Sequence, residues 1–249
     1  MRDYEGKVVV ITGASAGIGA ATAKEMAGRG ARVVLAARRE EELRALATTI
    51  GAGALAIVTD VTRRDEVQRL AEQAIATCGH VDIWINNAGR GITRSILELS
   101  DEDVDAMMRD NLKSVLYGIQ AIVPHLVARG DGAVVNVSSM LSRLPLAPFR
   151  SAYAAAKAAV NSLTDMLRVE LRDKAPGVRV VCVLPGVVKT DFGEKAIGGG
   201  PNSRTLPGAQ EVDEVARVIA DGVLAKSGDV YTRPEFFDRS VAHLGELAR

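Results

Sequence analysis

Seven short runs of valine and isoleucine, with helical periods between them, restrict this chain more than any other feature of its sequence. They lie at 7–12 (KVVVIT), 31–37 (ARVVLAA), 54–59, 81–86, 133–138 (AVVNVS), 178–184 (VRVVCVL) and, briefly, 229–232. A strand with one wet face alternates apolar and polar residues. These runs barely alternate, so they predict strands covered on both faces. Helical periods occupy 17–28, 40–50, 63–78, 101–128, 151–173 and 211–225, and Ser100 with Asp103 gives the fourth an N-cap signal. Strands that alternate with helices over short links wind into a parallel sheet with helices on both sides. No linker, repeat or charge block divides the 249 residues. The expectation is a single three-layer α/β/α domain, 1–249, around a doubly wound seven-stranded sheet.

The charge balance narrows the function. Lys and Arg number 31 and Asp and Glu 31, interspersed, which gives no one-sided positive field for nucleic acid or a membrane surface. Cys78 and Cys182 lie far apart in unrelated contexts, and His80, His125 and His243 show no ligand spacing. Neither a disulfide framework nor a metal site is expected. The N-terminus has no signal-peptide layout, and no stretch is long and apolar enough to span a bilayer. The default expectation is a reducing, cytoplasmic compartment. The segment 191–210 (DFGEKAIGGGPNSRTLPGAQ) breaks the rhythm, being too long and too rich in glycine for a simple connector, and reads as a substrate lid.

Three motifs carry chemistry. ITGASAGIG (11–19) follows the first strand and opens the first helix, where glycines let backbone N–H groups approach a pyrophosphate at the positive helix end. NNAG (86–89) follows the fourth strand. Within the alanine-rich RSAYAAAKAAV (150–160), Tyr153 and Lys157 stand four residues apart, one turn apart on one helix face. A free phenol is a poor base near neutrality, and an ammonium one turn away favours the phenolate.

In this order and spacing, the motifs resemble those of the short-chain dehydrogenase/reductases over nearly the whole chain. LPGVVKTD (184–191) and Asp60-Val61 add to the match. The resemblance implies a Rossmann-type fold and an oxidoreductase that interconverts a ketone or aldehyde and an alcohol with a nicotinamide cofactor. It implies a catalytic set of Asn111, Ser139, Tyr153 and Lys157: Tyr153 as general acid/base, and Lys157 lowering its pKa and holding the nicotinamide ribose. Asn111 would hold a water that leads protons to Lys157. The family's serine lies one residue nearer the tyrosine than Ser139 does. Ser139 is therefore taken for the substrate oxygen, with Ser138 the lesser candidate. Cofactor contacts fall on Gly13, Ser15, Gly17, Ile18, Gly19, Arg38, Arg39, Asp60, Val61, Asn87, Ala88, Gly89, Tyr153, Lys157, Pro185, Gly186, Val188 and Thr190, while Asn86 helps to lock the sheet.

At the end of the second strand a carboxylate selects NAD by taking both ribose hydroxyls. This chain has Ala36-Ala37 there, then Arg38-Arg39, and guanidinium groups suit a 2′-phosphate. NADP is expected, with NAD the alternative; Glu40 to Glu42 are close enough to satisfy the arginines instead. Leu141, Leu144, Leu146, Phe149 and Phe192 suggest a small, partly apolar substrate, and Arg94, Arg143, Arg150 and Arg204 either meet an acidic tail or face water. A carrier-bound 3-oxoacyl reductase and a catalytically inactive cofactor-binding regulator remain alternatives. The resemblance also implies a homodimer or homotetramer, paired through helices 101–128 and 151–173.

Overall fold

The computed structural model describes residues 3–51, 53–225 and 228–248. Strands β1 (Val8–Thr12), β2 (Arg32–Ala37), β3 (Leu55–Val58), β4 (Ile83–Asn86), β5 (Gly132–Val137), β6 (Val178–Leu184) and β7 (Gly228–Tyr231) form one sheet, ordered β3-β2-β1-β4-β5-β6-β7. Every pairing is parallel. Each strand lies within two residues of its sequence-predicted run, because uninterrupted Val and Ile suit a strand buried on both faces.

The pleat divides those residues between two cores. Val9, Ile11, Val33 and Leu35 meet α1 (Gly17–Gly28), α2 (Glu40–Ile50) and α7 (Val212–Leu224). Val8, Val10 and Val34 meet α3 (Arg64–Cys78), α5 (Ser114–Arg129) and α6 (Ser151–Lys174) on the other face. Each such side chain contributes about 1.5–3 kcal/mol on burial. Among the described residues no helix is long and apolar enough to cross a membrane.

Two features differ from the sequence expectation. The helix expected at 101–128 comes as α4 (Asp101–Met107), a π-helical segment (Met108–Lys113) and α5. A π turn barely alters the apolar spacing, and such turns gather at functional sites. Here the segment holds the buried Asn111. A further helix, α8 (Pro234–Leu247), follows β7; Pro234 opens it, and Phe237 packs edge-on against Tyr231 with ring centroids 5.6 Å apart. The 191–210 segment has neither helix nor strand, yet it is tied down. Ile197 bridges to Ile92, with Thr93 N donating to the Ile197 carbonyl at 2.8 Å and Ile197 N to the Gly91 carbonyl at 2.9 Å. At its far end the buried Gln210 accepts from the Thr232 hydroxyl at 2.6 Å.

The chain runs outward from β1 through β2 to β3, then returns to β4 on the other side of β1. Dinucleotides and substrates bind where a doubly wound sheet reverses in this way, outside the carboxyl ends of its strands. The loops after β1, β4, β5 and β6 meet there.

Candidate active site

At the nucleotide end, α1 starts with its donors uncommitted. Its N-cap, Ala16, has no side chain able to cap, and no acid stands in its first turn. In α2, α3, α4, α7 and α8, by contrast, acids occupy that turn. Four N–H groups and a positive helix end are thus left for an anion. Gly17, at φ 54°, carries the chain into the helix, and a Cβ there would lie 3.1 Å from Thr190 Cγ2. Ile18 packs against the core beside it. Arg39 reaches back to this turn, donating to Ser15 Oγ through Nε at 3.2 Å and through Nη2 at 2.9 Å. It also pairs with Glu42 at 3.0 Å. Arg38 is exposed near Asp60. Burial alone would raise the Asp60 carboxyl, but bonds from Thr62 and the charges of Arg38 and Arg63 hold it below the usual aspartate value. Val61 turns into the core, and Thr59 N donates to the Ala37 carbonyl at 2.9 Å, which keeps this turn beside the end of β2.

The centre of the crevice is a clasp between the ends of β1 and β4. Thr12 Oγ1 accepts from Asn87 N at 3.0 Å and Ala88 N at 3.2 Å, and Asn87 Nδ2 donates to the Thr12 carbonyl at 2.9 Å. A Cβ on Gly13 would lie 2.8 Å from Ala88 Cα, and one on Gly19 would lie 2.5 Å from Asn87 Nδ2. These two glycines are set by close backbone approach as much as by any ligand. Asn86 joins a chain of buried hydrogen bonds: Trp84 Nε1 donates to Asn86 Oδ1 at 2.7 Å, Asn86 Nδ2 to Asn136 Oδ1 at 2.9 Å, and Asn136 Nδ2 to Thr164 Oγ1 at 2.9 Å. This chain ties β4 and β5 to α6. Asn136 and Thr164 carry no motif; the register of β4 on β5 places Asn136 opposite Asn86, and α6 brings Thr164 to Asn136.

At the chemical end, Tyr153 and Lys157 stand on α6, 8% and 3% exposed, with the ammonium 5.8 Å from the phenol ring centre. The Ser139 hydroxyl faces the Tyr153 phenol and acts to lower its pKa. Ser138 faces the other way, its hydroxyl donating to the Lys157 carbonyl at 3.1 Å. The chain stays extended past β5, with Ser138 N donating to the Val183 carbonyl and Ser139 at φ −164° and ψ 152°, so the two adjacent serines diverge. Asn111 grips the peptide of Arg90, donating to its carbonyl at 2.9 Å and accepting from its N–H at 3.2 Å. A Cβ on Gly89 would lie 2.7 Å from Asn111 Oδ1 and 3.5 Å from Lys157 Nζ, so all three groups converge.

The protonation balance runs opposite to the sequence expectation. Burial pushes the Tyr153 phenol up to about 12, against the opposing effects of Ser139 and the Arg150 charge. Burial likewise pulls Lys157 down to about 8. Its ammonium donates to the Val137 carbonyl at 2.7 Å instead of reaching the phenol. Desolvation here exceeds the effect of the neighbouring charge.

Of the remaining expected contacts, Gly186 faces the Phe236 ring, where a Cβ would meet Cζ at 2.5 Å. Val188 is buried in the core. The Pro185 carbonyl accepts from Met140 N at 2.9 Å, fastening the Ser139 turn. Of the apolar residues expected around the substrate, Leu141 and Phe192 flank Tyr153, with the Phe192 and Tyr153 ring centres 5.4 Å apart. Leu144 packs behind, with Met140 and Leu184, while Leu146 and Phe149 are exposed.

A crevice of this kind, at the reversal of a doubly wound sheet, is where such folds bind dinucleotides. The model of the short chain dehydrogenase family matches residues 7–197. An uncharacterized oxidoreductase of Staphylococcus haemolyticus is 39% identical over 235 residues, 94% of this chain and 100% of that protein. A short-chain dehydrogenase/reductase from Burkholderia phymatum, solved with NAD, superposes with TM-score 0.90 at 27% identity, covering 100% of this chain and 97% of that one. An alcohol dehydrogenase from Thermococcus sibiricus, solved with 5-hydroxy-NADP, gives TM-score 0.79 at 29% identity over 90% and 95%. The chain belongs to the short-chain dehydrogenase/reductases, oxidoreductases that act on CH–OH groups with NAD(P).

Proposed function

We propose that the protein is an NADP(H)-dependent carbonyl reductase for a small, partly apolar ketone or aldehyde, with Tyr153 as general acid. The observation that carries this reading is the buried Tyr153 phenol with the Ser139 hydroxyl facing it. A nicotinamide cofactor, when bound, supplies the hydride. The residues present fit it: the uncapped start of α1 suits the pyrophosphate, and Arg38, Arg39 and Ser15 suit a 2′-phosphate where no acid ends β2. Gly89, Lys157 and Asn111 gather where the nicotinamide ribose is expected.

The chain's own part is a proton transfer in a dry site. Ser139 holds the substrate oxygen, and Tyr153 Oη gives that oxygen its proton as negative charge develops. A phenol pushed up to about 12 carries its proton at neutral pH, as the donor in the reducing direction requires. Phe192 covers the ring of Tyr153, so the 191–210 segment acts as a lid that must lift for substrate to enter. Exposed Met166 and Val169 on α6, with Val127 on α5, support pairing of subunits through these helices. A monomer in light scattering at micromolar concentration is incompatible with that assembly. The activity is tested by following NADPH absorbance against a panel of ketones and aldehydes. Turnover that survives in Tyr153→Phe would overturn the mechanism.

A further inference from the structure

Four arginines were candidates to meet an acidic group, and the structure separates one of them from the rest. Arg94 lies 2.7 Å from Asp103, Arg143 is 3.1 Å from Asp229, and Arg204 bridges Asp191 and Glu194. Arg150 is the most buried of the four, 6% exposed, and among the described residues it pairs with no carboxylate. Its one side-chain hydrogen bond among those residues runs from Nη1 to the Ile92 carbonyl at 3.1 Å. A guanidinium has five N–H donors, and an unpaired charge is seldom kept inside a protein for stability's sake.

Its position is equally specific. Arg150 is the N-cap residue of α6, three residues before Tyr153, or about 4.5 Å of helix rise. Like α1, α6 begins with no side-chain cap and no acid in its first turn. The next residue adds a second donor, since Ser151 Oγ is buried without a hydrogen-bond partner. Arg150 Nη1 and Phe192 Cε1 come within 2.8 and 2.9 Å of the same point, a Cβ on Gly91, so the guanidinium and the lid ring meet beside Tyr153.

The structure assigns the start of α6 as an anion subsite, in which Arg150 and Ser151 receive the carboxylate of an oxo acid whose carbonyl lies at Tyr153 and Ser139. The class of substrate is a short oxo acid with its carboxylate close to the reacting carbon. This rests on the carbonyl-reductase reading and narrows it. The carboxylate supplies the counter-charge that the protein does not, and a planar fork favours it through paired hydrogen bonds.

The test compares short 2-oxo and 3-oxo acids with their own methyl esters, using NADPH and NADH, on the native protein, Arg150→Gln and Arg150→Lys. In the native protein, kcat/KM for the acid should exceed that for its ester by about tenfold or more, mostly through KM. Arg150→Gln should bring the ratio close to unity, with Arg150→Lys in between. An acid/ester ratio near unity in the native protein, or a ratio that survives Arg150→Gln, overturns the subsite. If Arg150 merely pins the lid, acid and ester lose rate together and the ratio holds, which also overturns it. A second measurement is independent of turnover and of whether the variants fold: benzoate, but not methyl benzoate, should raise the melting temperature of the native protein. No difference between the two counts against the subsite. A benzoate effect without turnover of any carbonyl compound would keep the subsite and reject the reductase reading. Equal turnover of acids and esters would do the reverse.

Discussion

Arg39, at the nucleotide end of the crevice, is 41% exposed in its side chain and already shares its donors between Ser15 and Glu42. Lys157 and Arg150, at the chemical end, are 3% and 6% exposed and have a backbone carbonyl each in place of an acid. Water and salt screen the first charge, and its pairing with Glu42 is worth little. The other two sit where desolvation dominates, and it moves Tyr153 and Lys157 in opposite directions from their ordinary values. One crevice thus has an end that selects among ligands by modest, screened attraction and an end where exclusion of water favours the neutral form of each group, the protonated phenol and the unprotonated amine. Changes at the chemical end should therefore be large and insensitive to salt. Changes at the nucleotide end should be smaller and salt-dependent.

The largest effect expected is that of Tyr153→Phe, which removes the proton donor and leaves the ring packed against Phe192. A loss of roughly 10²–10⁴-fold in kcat is expected, with NADPH affinity nearly unchanged. Single-turnover rates and cofactor titrations on the same preparation check both halves. Ser139→Ala comes next, at about 10²–10³-fold in kcat, the range for losing one donor to a developing oxyanion. Ser138→Ala should instead leave the chemistry intact and loosen α6, since its hydroxyl holds the Lys157 carbonyl. A larger kcat loss from Ser138→Ala than from Ser139→Ala would reverse the roles of the two serines.

Lys157 makes the contrast measurable without any ligand. A lysine depressed to about 8 in the folded state, against its ordinary value of 10.5, binds its proton more readily when unfolded. The stability it contributes is present above pH 10.5 and is lost as pH falls through 8. The native chain should gain up to about 3 kcal/mol between those limits from this residue. Cys182 and Tyr153, both raised, lose stability as pH climbs in either chain, so the gain is read as the difference in urea midpoint between the native chain and Lys157→Met, which should widen in favour of the native chain across that window. Parallel curves would mean that Lys157 is not desolvated. The same variant should lower both turnover and cofactor affinity.

How far these residues could be read from sequence depends on whether their partners are near in the chain. The strands were legible because burial on both faces leaves unbroken Val and Ile runs, and the Tyr153–Lys157 pair because one helix turn sets it. The choice between Ser138 and Ser139 was left open by adjacency alone; the register of the extended chain past β5 turns one hydroxyl toward Tyr153 and the other away. The π-helical segment around Asn111 leaves almost no trace in apolar spacing. Helix α8 could have been found, since Pro234 followed by Phe237, Val241 and Leu244 is a helix start with a periodic stripe. The raised phenol of Tyr153 and the unpaired charge of Arg150 were beyond sequence reading. Both depend on what is absent around a side chain once the loops after β4 and β6 have closed over it.

The smallest effect expected is at the nucleotide end, and it tests whether Arg38 and Arg39 choose the cofactor at all. Arg38 is exposed beside Asp60, and Arg39 is held on Ser15, so a 2′-phosphate would meet two guanidinium groups and a hydroxyl. It would also meet the carboxylates of Asp60 and Glu42, which temper the attraction. Charged hydrogen bonds are worth about 1.5–3 kcal/mol each, so NADPH should bind roughly ten- to a hundredfold more tightly than NADH. Replacing Ala37 with Asp and Arg38 with Ser should reverse the order, because a carboxylate at the end of β2 repels the phosphate and accepts from the bare ribose. Arg39→Ser should only weaken the preference, since Glu42 already shares that guanidinium. Added salt should erode NADPH binding more than NADH binding, because only the former rests on exposed charge. Titrations of both cofactors at low and high salt decide the matter. Equal affinities in the native protein would make these arginines solvated loop charges. A preference that ignores salt would mean that the nucleotide end is as dry as the chemical one, and the contrast between the two ends would fail.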